Sequence, residues 1–287
     1  MIREKLGKET LFFDGAMWTS LRQVGLELGE ISEVFNFKHP DVVEQVHRGY
    51  LKAGANFITT NTFGANSYRI KVTDYTVDEV IGRAVSIAKR AKEGFEEAYI
   101  VLDIGSTGKR IAPNGEVTFE ELYEVFKEQA IAGEKYGCDV ILLETFTDLD
   151  ELKAAILAVK ENTILPVFCT MSFKADGKTF CGVSLEDMVF TAQSLGVDAL
   201  GINCVAASKE LIFLVKRLRE LTVLPVIVQP NAGIPIIQDG KSIYKMTEDE
   251  FAKVMSEIYK MGVHLLGGCC GTNEKYIKKM IYNCKNI

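Results

Sequence analysis

The chain has 287 residues, a size that suits one α/β barrel as well as two average domains. Hydrophobic residues make up 47% and charged residues 25%, as in an ordinary globular protein with a full core. A net charge of −6 without a basic cluster argues against a surface for nucleic acid or for an anionic membrane.

The compartment is predicted from the N-terminus and the cysteines. The first residues do not resemble a signal peptide, and no apolar run approaches 18 residues, so we expect a cytoplasmic protein without a membrane span. In that compartment the seven cysteines would be mostly reduced. Any functional cysteine is then expected to be a metal ligand or a catalytic group rather than half of a disulfide.

Short apolar runs recur along the chain, each followed by a turn and an amphipathic segment. The runs are rich in β-branched residues and apolar nearly throughout, which is typical of strands covered on both faces. In chain order they span residues 10–16, 56–62, 99–105, 139–145, 166–172, 199–204, 225–231 and 264–270.

The segments between the runs carry helix signals. One predicted helix begins at Pro40 and stops at Gly54, and another begins at Thr118, with Glu121 completing a capping box. Repeated strand–helix units in a chain of this length predict an α/β fold, a single (β/α)₈ or TIM barrel that occupies residues 1–287 as one domain. A doubly wound open sheet is the alternative.

A barrel of this kind places its active site at the carboxyl ends of the strands. Polar residues end all the apolar runs. Loops are exposed to water, which accounts for most of these polar residues but not for the three cysteines. These end residues are Asp14, Thr60, Asn61, Asp103, Glu144, Thr170, Ser172, Cys204, Asn231, Cys269 and Cys270.

The three strand-end cysteines are a candidate metal site. Cys204 ends the sixth run, and Cys269 and Cys270 end the eighth. Alternate strands of a barrel contribute to the same layer of side chains, so these sulfurs can meet, and three protein ligands with one open position are usual for catalytic zinc. Glycines around the pair could turn both sulfurs inward. Spacing alone leaves open a vicinal disulfide or two sulfurs that merely pack.

A zinc ion held by three thiolates suits one kind of chemistry. It would deprotonate a thiol bound as fourth ligand, whose free pKa is about 8.5, and keep that sulfur electron-rich for alkylation. Activation of water usually relies on histidine ligands. The only histidines are His39, His47 and His264, and none of them ends a predicted strand.

Several motifs resemble a known family. "GINC", "QPNAG" and "GGCCGT" end the last three runs and resemble the zinc-dependent homocysteine S-methyltransferases. "DIGSTGK" and "ILLETFTDLDELKAA" are most similar to the homocysteine-binding module of cobalamin-dependent methionine synthase. The resemblance spans about residues 11–281, and it implies a methyltransferase that uses Zn²⁺ to convert homocysteine to methionine.

The resemblance also implies roles for individual residues. It assigns zinc binding, and through zinc the catalytic role, to Cys204, Cys269 and Cys270. It assigns substrate binding to Asp14, Gly15, Ala16, Glu144 and Asn231. Within this set Glu144 would receive the amino group of homocysteine, and Asn231 would fill the fourth position on zinc when substrate is absent.

The methyl donor stays open at this stage. We find no cobalamin-binding loop in the sequence, so methylcobalamin would arrive on a separate corrinoid protein. S-methylmethionine or a betaine-like compound is the other option. Trp18 stands where the family usually has glycine, and together with the altered loop after Cys204 it motivates one further alternative, an enzyme that uses another thiol or donor. A non-catalytic module that holds zinc or docks a corrinoid protein is the last alternative.

Overall fold

Parallel strands form a barrel in the computed structural model of the protein, which describes residues 2–238 and 241–287. The strands are β1 Leu11–Phe12, β2 Phe57–Thr59, β3 Tyr99–Gly105, β4 Val140–Phe146, β5 Val167–Met171, β6 Ala199–Ala206, β7 Val226–Asn231 and β8 Leu265–Leu266. Their hydrogen-bonded order is β1–β8–β7–β6–β5–β4–β3–β2, and every pair is parallel.

Backbone and side-chain hydrogen bonds join β1 to β2 and complete the ring. The Asn56 N–H donates to the Phe12 carbonyl at 2.7 Å, and the Asn56 side chain accepts from the Phe12 N–H at 2.9 Å. Further along, the Asp14 carboxylate accepts from the N–H of Thr59 at 2.6 Å and from its hydroxyl at 2.8 Å. The predicted (β/α)₈ barrel is confirmed, and the open-sheet alternative is wrong.

Helices follow the strands and cover the barrel. They are α1 Ile2–Lys5, α2 Met17–Gln23, α3 Phe35–Lys38, α4 Pro40–Ala53, α5 Ser67–Ile70, α6 Val77–Lys92, α7 Phe119–Tyr136, α8 Leu149–Asn162, α9 Leu185–Ser194, α10 Lys209–Leu221, α11 Glu248–Lys260 and α12 Glu274–Lys285. A 3₁₀ helix spans Ser32–Val34, and a hairpin of Ile236–Gln238 and Lys241–Ile243 follows β7. None of the helices in the described ranges is long and apolar enough to cross a membrane.

The predicted helix signals are confirmed. Helix α4 begins at Pro40, and Gly54 ends it in the left-handed conformation, with a φ of 102°. Helix α7 opens with the Thr118–Glu121 capping box, in which each side chain accepts from the other residue's backbone N–H. Glycine tolerates positive φ and the box satisfies free N–H groups, so local sequence fixes both boundaries.

Two apolar layers stabilise the barrel. An outer layer packs the strands against the helices. An inner cluster fills the ring, where the Phe13 and Phe57 rings stack with centroids 4.3 Å apart and Phe168 meets Phe57 edge-on at 6.2 Å. On β4 the inward residues Val140 and Leu142 belong to this cluster. This inner cluster fills the barrel below the carboxyl ends of the strands.

We predict that Gly201→Ala destabilises the protein strongly. A Cβ at Gly201 in β6 would collide with the backbone of Ile227 in the neighbouring strand. We expect a loss of about 3 kcal/mol in the free energy of unfolding, because β6 and β7 can move apart only by breaking their hydrogen bonds. Urea unfolding measures this loss.

Gly49→Ala is the matched control. In helix α4 the added methyl would lie 3.8 Å from the Glu274 Cβ, an ordinary contact. Alanine favours the helix, so we expect a gain of about 0.5–1 kcal/mol. Equal destabilisation of both variants would contradict the argument.

Candidate active site

A cavity of about 300 Å³ opens at the carboxyl ends of the strands. The predicted site residues that line it are Asp14, Gly15, Ala16, Glu144, Cys204, Cys269 and Cys270. Asn231 ends β7 and is buried, but it is not among the residues that line this cavity. The barrel thus brings all but one of the predicted residues to one place.

The two adjacent cysteines lie in a turn rather than in a strand. Strand β8 ends at Leu266, earlier than the sequence predicts, and the Thr272 N–H closes the turn on the Cys269 carbonyl at 3.1 Å. The alternation of side chains along a strand therefore does not apply to the pair. Both cysteines can line the same cavity.

Two of the neighbouring glycines have distinct reasons to be glycine. Gly271 has a φ of 81°, which a residue with a side chain rarely adopts. Gly268 lies so close to Thr272 that an added Cβ would come within 2.5 Å of the Thr272 hydroxyl. One glycine shapes the turn, and the other permits close approach.

Cys204 reaches the cavity because the backbone of β6 is irregular. Ala199 packs inside the barrel, and Leu200 and Ile202 pack outside it, so strict alternation would point Cys204 outward. The register between β6 and β7 shifts between Asn203 and Ala206, and Cys204 has a φ of 55°. A bulge of this kind re-aims a side chain, here into the cavity.

The three sulfurs have the spacing of a metal site. The sulfur atoms of Cys204, Cys269 and Cys270 all lie within 4.8 Å of one another. Those of Cys269 and Cys270 are 4.0 Å apart, so the alternative of a vicinal disulfide does not hold. Tetrahedral zinc with Zn–S bonds of about 2.3 Å separates two sulfurs by about 3.8 Å. The donor set fits Zn²⁺.

Hydrogen bonds within the cluster polarise the sulfurs. Bonds from Cys204 and Cys269, with a further one from Tyr244, lower the pKa of Cys270 far below that of an ordinary thiol. Bonds with Cys204 and Cys270, together with burial, raise the pKa of Cys269. A thiolate at Cys270, half-buried beside two further sulfurs, would favour a bound cation.

Two buried carboxylates, Asp14 and Asp103, and the half-buried carboxylate of Glu144 line the same cavity. Burial raises the pKa of Asp14 to about 7, against the hydrogen bonds from Thr59 that lower it. Burial, followed by the charges of Asp14 and Cys270, raises the pKa of Glu144 to about 8. Asp103 is buried, its pKa is also raised by burial, and its Oδ1 has no hydrogen-bond partner. A cationic ligand would stabilise the charged form of all three.

The predicted site did not include every residue that lines the cavity. The sequence marks Asp103 only as a strand-end residue, and the structure places it in the cavity, as the strand-end rule predicts. Arg69 is the one basic residue among the described residues that line the cavity, and it lies 3.8 Å from the buried Glu33. It belongs to the short helix α5, beyond a strand end, where no sequence signal marked it.

Comparison with protein families decides the relationship. The family model of homocysteine S-methyltransferase matches residues 11–283. The chain belongs to the homocysteine S-methyltransferase family. The family resemblance inferred from "GINC" and "GGCCGT" is confirmed.

Similar curated proteins are much longer than this chain. A methionine synthase from Mycobacterium tuberculosis is 29% identical over 300 aligned positions, which cover 98% of the chain and 25% of that protein. A methionine synthase from Mycobacterium leprae is 30% identical over 297 positions, which cover 96% of the chain and 24% of that protein. The chain spans about a quarter of the length of these relatives.

Solved structures share the fold. The homocysteine methyltransferase MmuM from Escherichia coli in its metallated form superimposes with a TM-score of 0.81 at 23% identity, over 95% of this chain and 96% of that one. The apo form of MmuM gives a TM-score of 0.78 at 23% identity, over 96% of each chain. These likenesses support the barrel.

We predict that Glu144→Gln makes the stability of the chelator-treated protein less dependent on pH. In the native state the Glu144 pKa is about 8, above the ordinary carboxyl value of 4.5. Between these values the unfolded chain has lost a proton that the native protein keeps, so stability falls as pH rises from 5 to 8. Glutamine has no such proton.

The measurement is urea unfolding at pH 5.5 and 7.5. We expect the loss between these values to be smaller by about 2 kcal/mol in Glu144→Gln than in the wild type. Glu120→Gln, at an exposed position, is the control and should follow the wild type. Parallel curves for wild type and Glu144→Gln would contradict the assignment.

Proposed function

We propose that residues 1–287 act as one homocysteine-binding unit that transfers a methyl group to the sulfur of homocysteine and so forms methionine. The observation that carries the proposal is the juxtaposition of three clustered sulfurs and three acids in one cavity. A thiol substrate that also bears an ammonium group matches both halves of that cavity. Family membership supports the same reaction.

In this proposal Cys204, Cys269 and Cys270 hold Zn²⁺. When bound there, Zn²⁺ acts as a Lewis acid that keeps a fourth, substrate thiol deprotonated at neutral pH. The buried Asn231 Oδ1 has no hydrogen-bond partner, which supports its assignment as a ligand when substrate is absent. Binding of homocysteine would then release about one proton.

The acids and the loop after β1 orient the amino acid. Glu144 and Asp103 would receive the ammonium group, which compensates the charges that burial disfavours. The backbone of Gly15 and Ala16 would hold the carboxylate. The sulfur then forms a bond to the methyl carbon while the bond from that carbon to the donor breaks, and the electron pair of that bond leaves with the donor.

We propose methylcobalamin on a separate corrinoid protein as the donor. The similarity to methionine synthases over nearly the whole chain supports methionine as the product. The choice of donor rests on the sequence motifs "DIGSTGK" and "ILLETFTDLDELKAA". The alternative donors are S-methylmethionine and betaine-like compounds. Two further alternatives are an enzyme that uses a different thiol and a non-catalytic module that holds zinc or docks a corrinoid protein. A panel of thiols and methyl donors separates them, and turnover only with a thiol other than homocysteine would contradict the proposal. The cytoplasmic location stays a prediction.

We predict that Cys269→Ala abolishes both zinc content and methyl transfer. The protein purified without chelator should contain about one zinc per chain, and the variant should retain less than about a tenth of it, since two thiolates bind zinc far less tightly than three. Metal analysis by mass spectrometry measures the content.

Cys138→Ala is the matched control. Cys138 is buried in the outer layer, away from the cavity residues, and its removal should leave zinc content unchanged. The proposal fails if the wild type holds no zinc, or if Cys269→Ala keeps both zinc and activity.

We predict that Glu144→Gln weakens homocysteine binding about 10–100-fold, which corresponds to loss of a charge-assisted hydrogen bond to the ammonium group. Isothermal titration calorimetry measures the affinity. 4-Mercaptobutanoate, which lacks the amino group, is the control ligand and should bind both proteins equally. Equal weakening for both ligands would show that Glu144 does not recognise the ammonium group.

A further inference from the structure

Two strands carry the same irregularity on the wall of the cavity. In the described ranges, Thr145 in β4 and Cys204 in β6 are the only residues other than glycine with positive φ, at 61° and 55°. At both places the register with a neighbouring strand shifts, between Leu143 and Phe146 and between Asn203 and Ala206. Side chains other than glycine resist this backbone conformation, so something must hold it.

The side chain of Asn203 joins the two irregular places. Asn203 is fully buried. Its Oδ1 accepts from the Thr145 N–H at 3.1 Å, and its Nδ2 donates to the Thr145 hydroxyl at 2.6 Å. The same Nδ2 lies 3.4 Å from Oε2 of Glu144. The side chain of Asn203, the residue before Cys204 in β6, thus reaches past strand β5 and contacts the bulge of β4.

An amide at this position is costly unless its hydrogen bonds are needed. Ala199 precedes Asn203 on the inward face of β6 and packs in the apolar cluster inside the barrel. A buried polar group is destabilising unless it is paired, and here its partners belong to β4, the next strand but one around the barrel. The bonds restrict both left-handed turns at once, because neither strand can relax without breaking them.

We infer that Asn203 is a positioning residue that fixes Cys204 and Glu144 relative to each other. Resting on the proposed function, the inference is that this amide aligns the metal ligand with the carboxylate that receives the ammonium group. Loss of the amide would free the bulge of β6, and Cys204 could then turn outward as strand alternation favours. The site would keep Cys269 and Cys270 but lose its third sulfur.

The test replaces the amide with an apolar group of similar size. In Asn203→Leu the Thr145 N–H has no acceptor, while the barrel interior stays filled. We expect the zinc affinity, measured by competition with a chromophoric chelator, to fall about 10–100-fold. With Co²⁺ in place of zinc, the sulfur-to-cobalt charge-transfer absorption per bound metal should fall by about a third, as for loss of one of three thiolates.

Gln129→Leu is the matched control. Gln129 is a fully buried amide of helix α7, and it packs outside the barrel ring. Its replacement should leave both the zinc affinity and the cobalt spectrum as in the wild type. Asn203→Ala is the second variant, so that a failure of Asn203→Leu to fold does not end the test.

The outcomes separate this inference from the proposed function. A wild-type protein that binds neither zinc nor cobalt overturns the proposed function. If the wild type binds both metals, and a folded Asn203 variant keeps the wild-type zinc affinity and cobalt absorption, the positioning role is overturned while the proposed function stands. A drop in both quantities, absent from Gln129→Leu, is the expected result.

Discussion

The left-handed backbone at Cys204 is the constraint on which the site depends. A regular β6 would point Cys204 into the outer apolar layer, and the two cysteines after β8 would have no third partner. The bulge places a thiol where three sulfurs lie within 4.8 Å. The cost of the strained conformation is offset locally, because a fully paired amide, Asn203, is buried beside it.

Groups that can carry negative charge lie close together in the cavity. Sulfurs and carboxylates crowd a space of about 300 Å³, and burial raises the pKa of Asp14 and Glu144. Such a site is unfavourable by itself and becomes favourable when cations enter it. In the proposed function, Zn²⁺ and the ammonium group of the substrate would compensate the charge of its two halves. The arrangement thus links metal binding, substrate binding and stability through one electrostatic balance.

The fold and most of the cavity are predictable from the sequence because both follow from local rules. Strand β3 was predicted at its observed bounds, and the strand-end rule located Glu144 and the cysteines. The sequence predicts strand β8 but places its end four residues too late, because the turn after Leu266 depends on contacts with β7 and Thr272 rather than on composition. The sequence does not predict Arg69 as a cavity residue for the same reason, since helix α5 comes near the cavity only in the folded chain.

The close packing around Thr272 limits how this family can diverge. Its hydroxyl donates to the Cys269 carbonyl at 2.7 Å, and an added Cβ on either Gly15 or Gly268 would come within 2.6 Å of that hydroxyl oxygen. Gly15, near the start of the chain, therefore shares one small volume with Gly268 and Thr272, near its end. At Gly15 an added Cβ would also come within 2.9 Å of the Tyr50 ring, so a relative that gains a side chain at either glycine has to rearrange this packing, and substitutions at these positions should be correlated rather than independent.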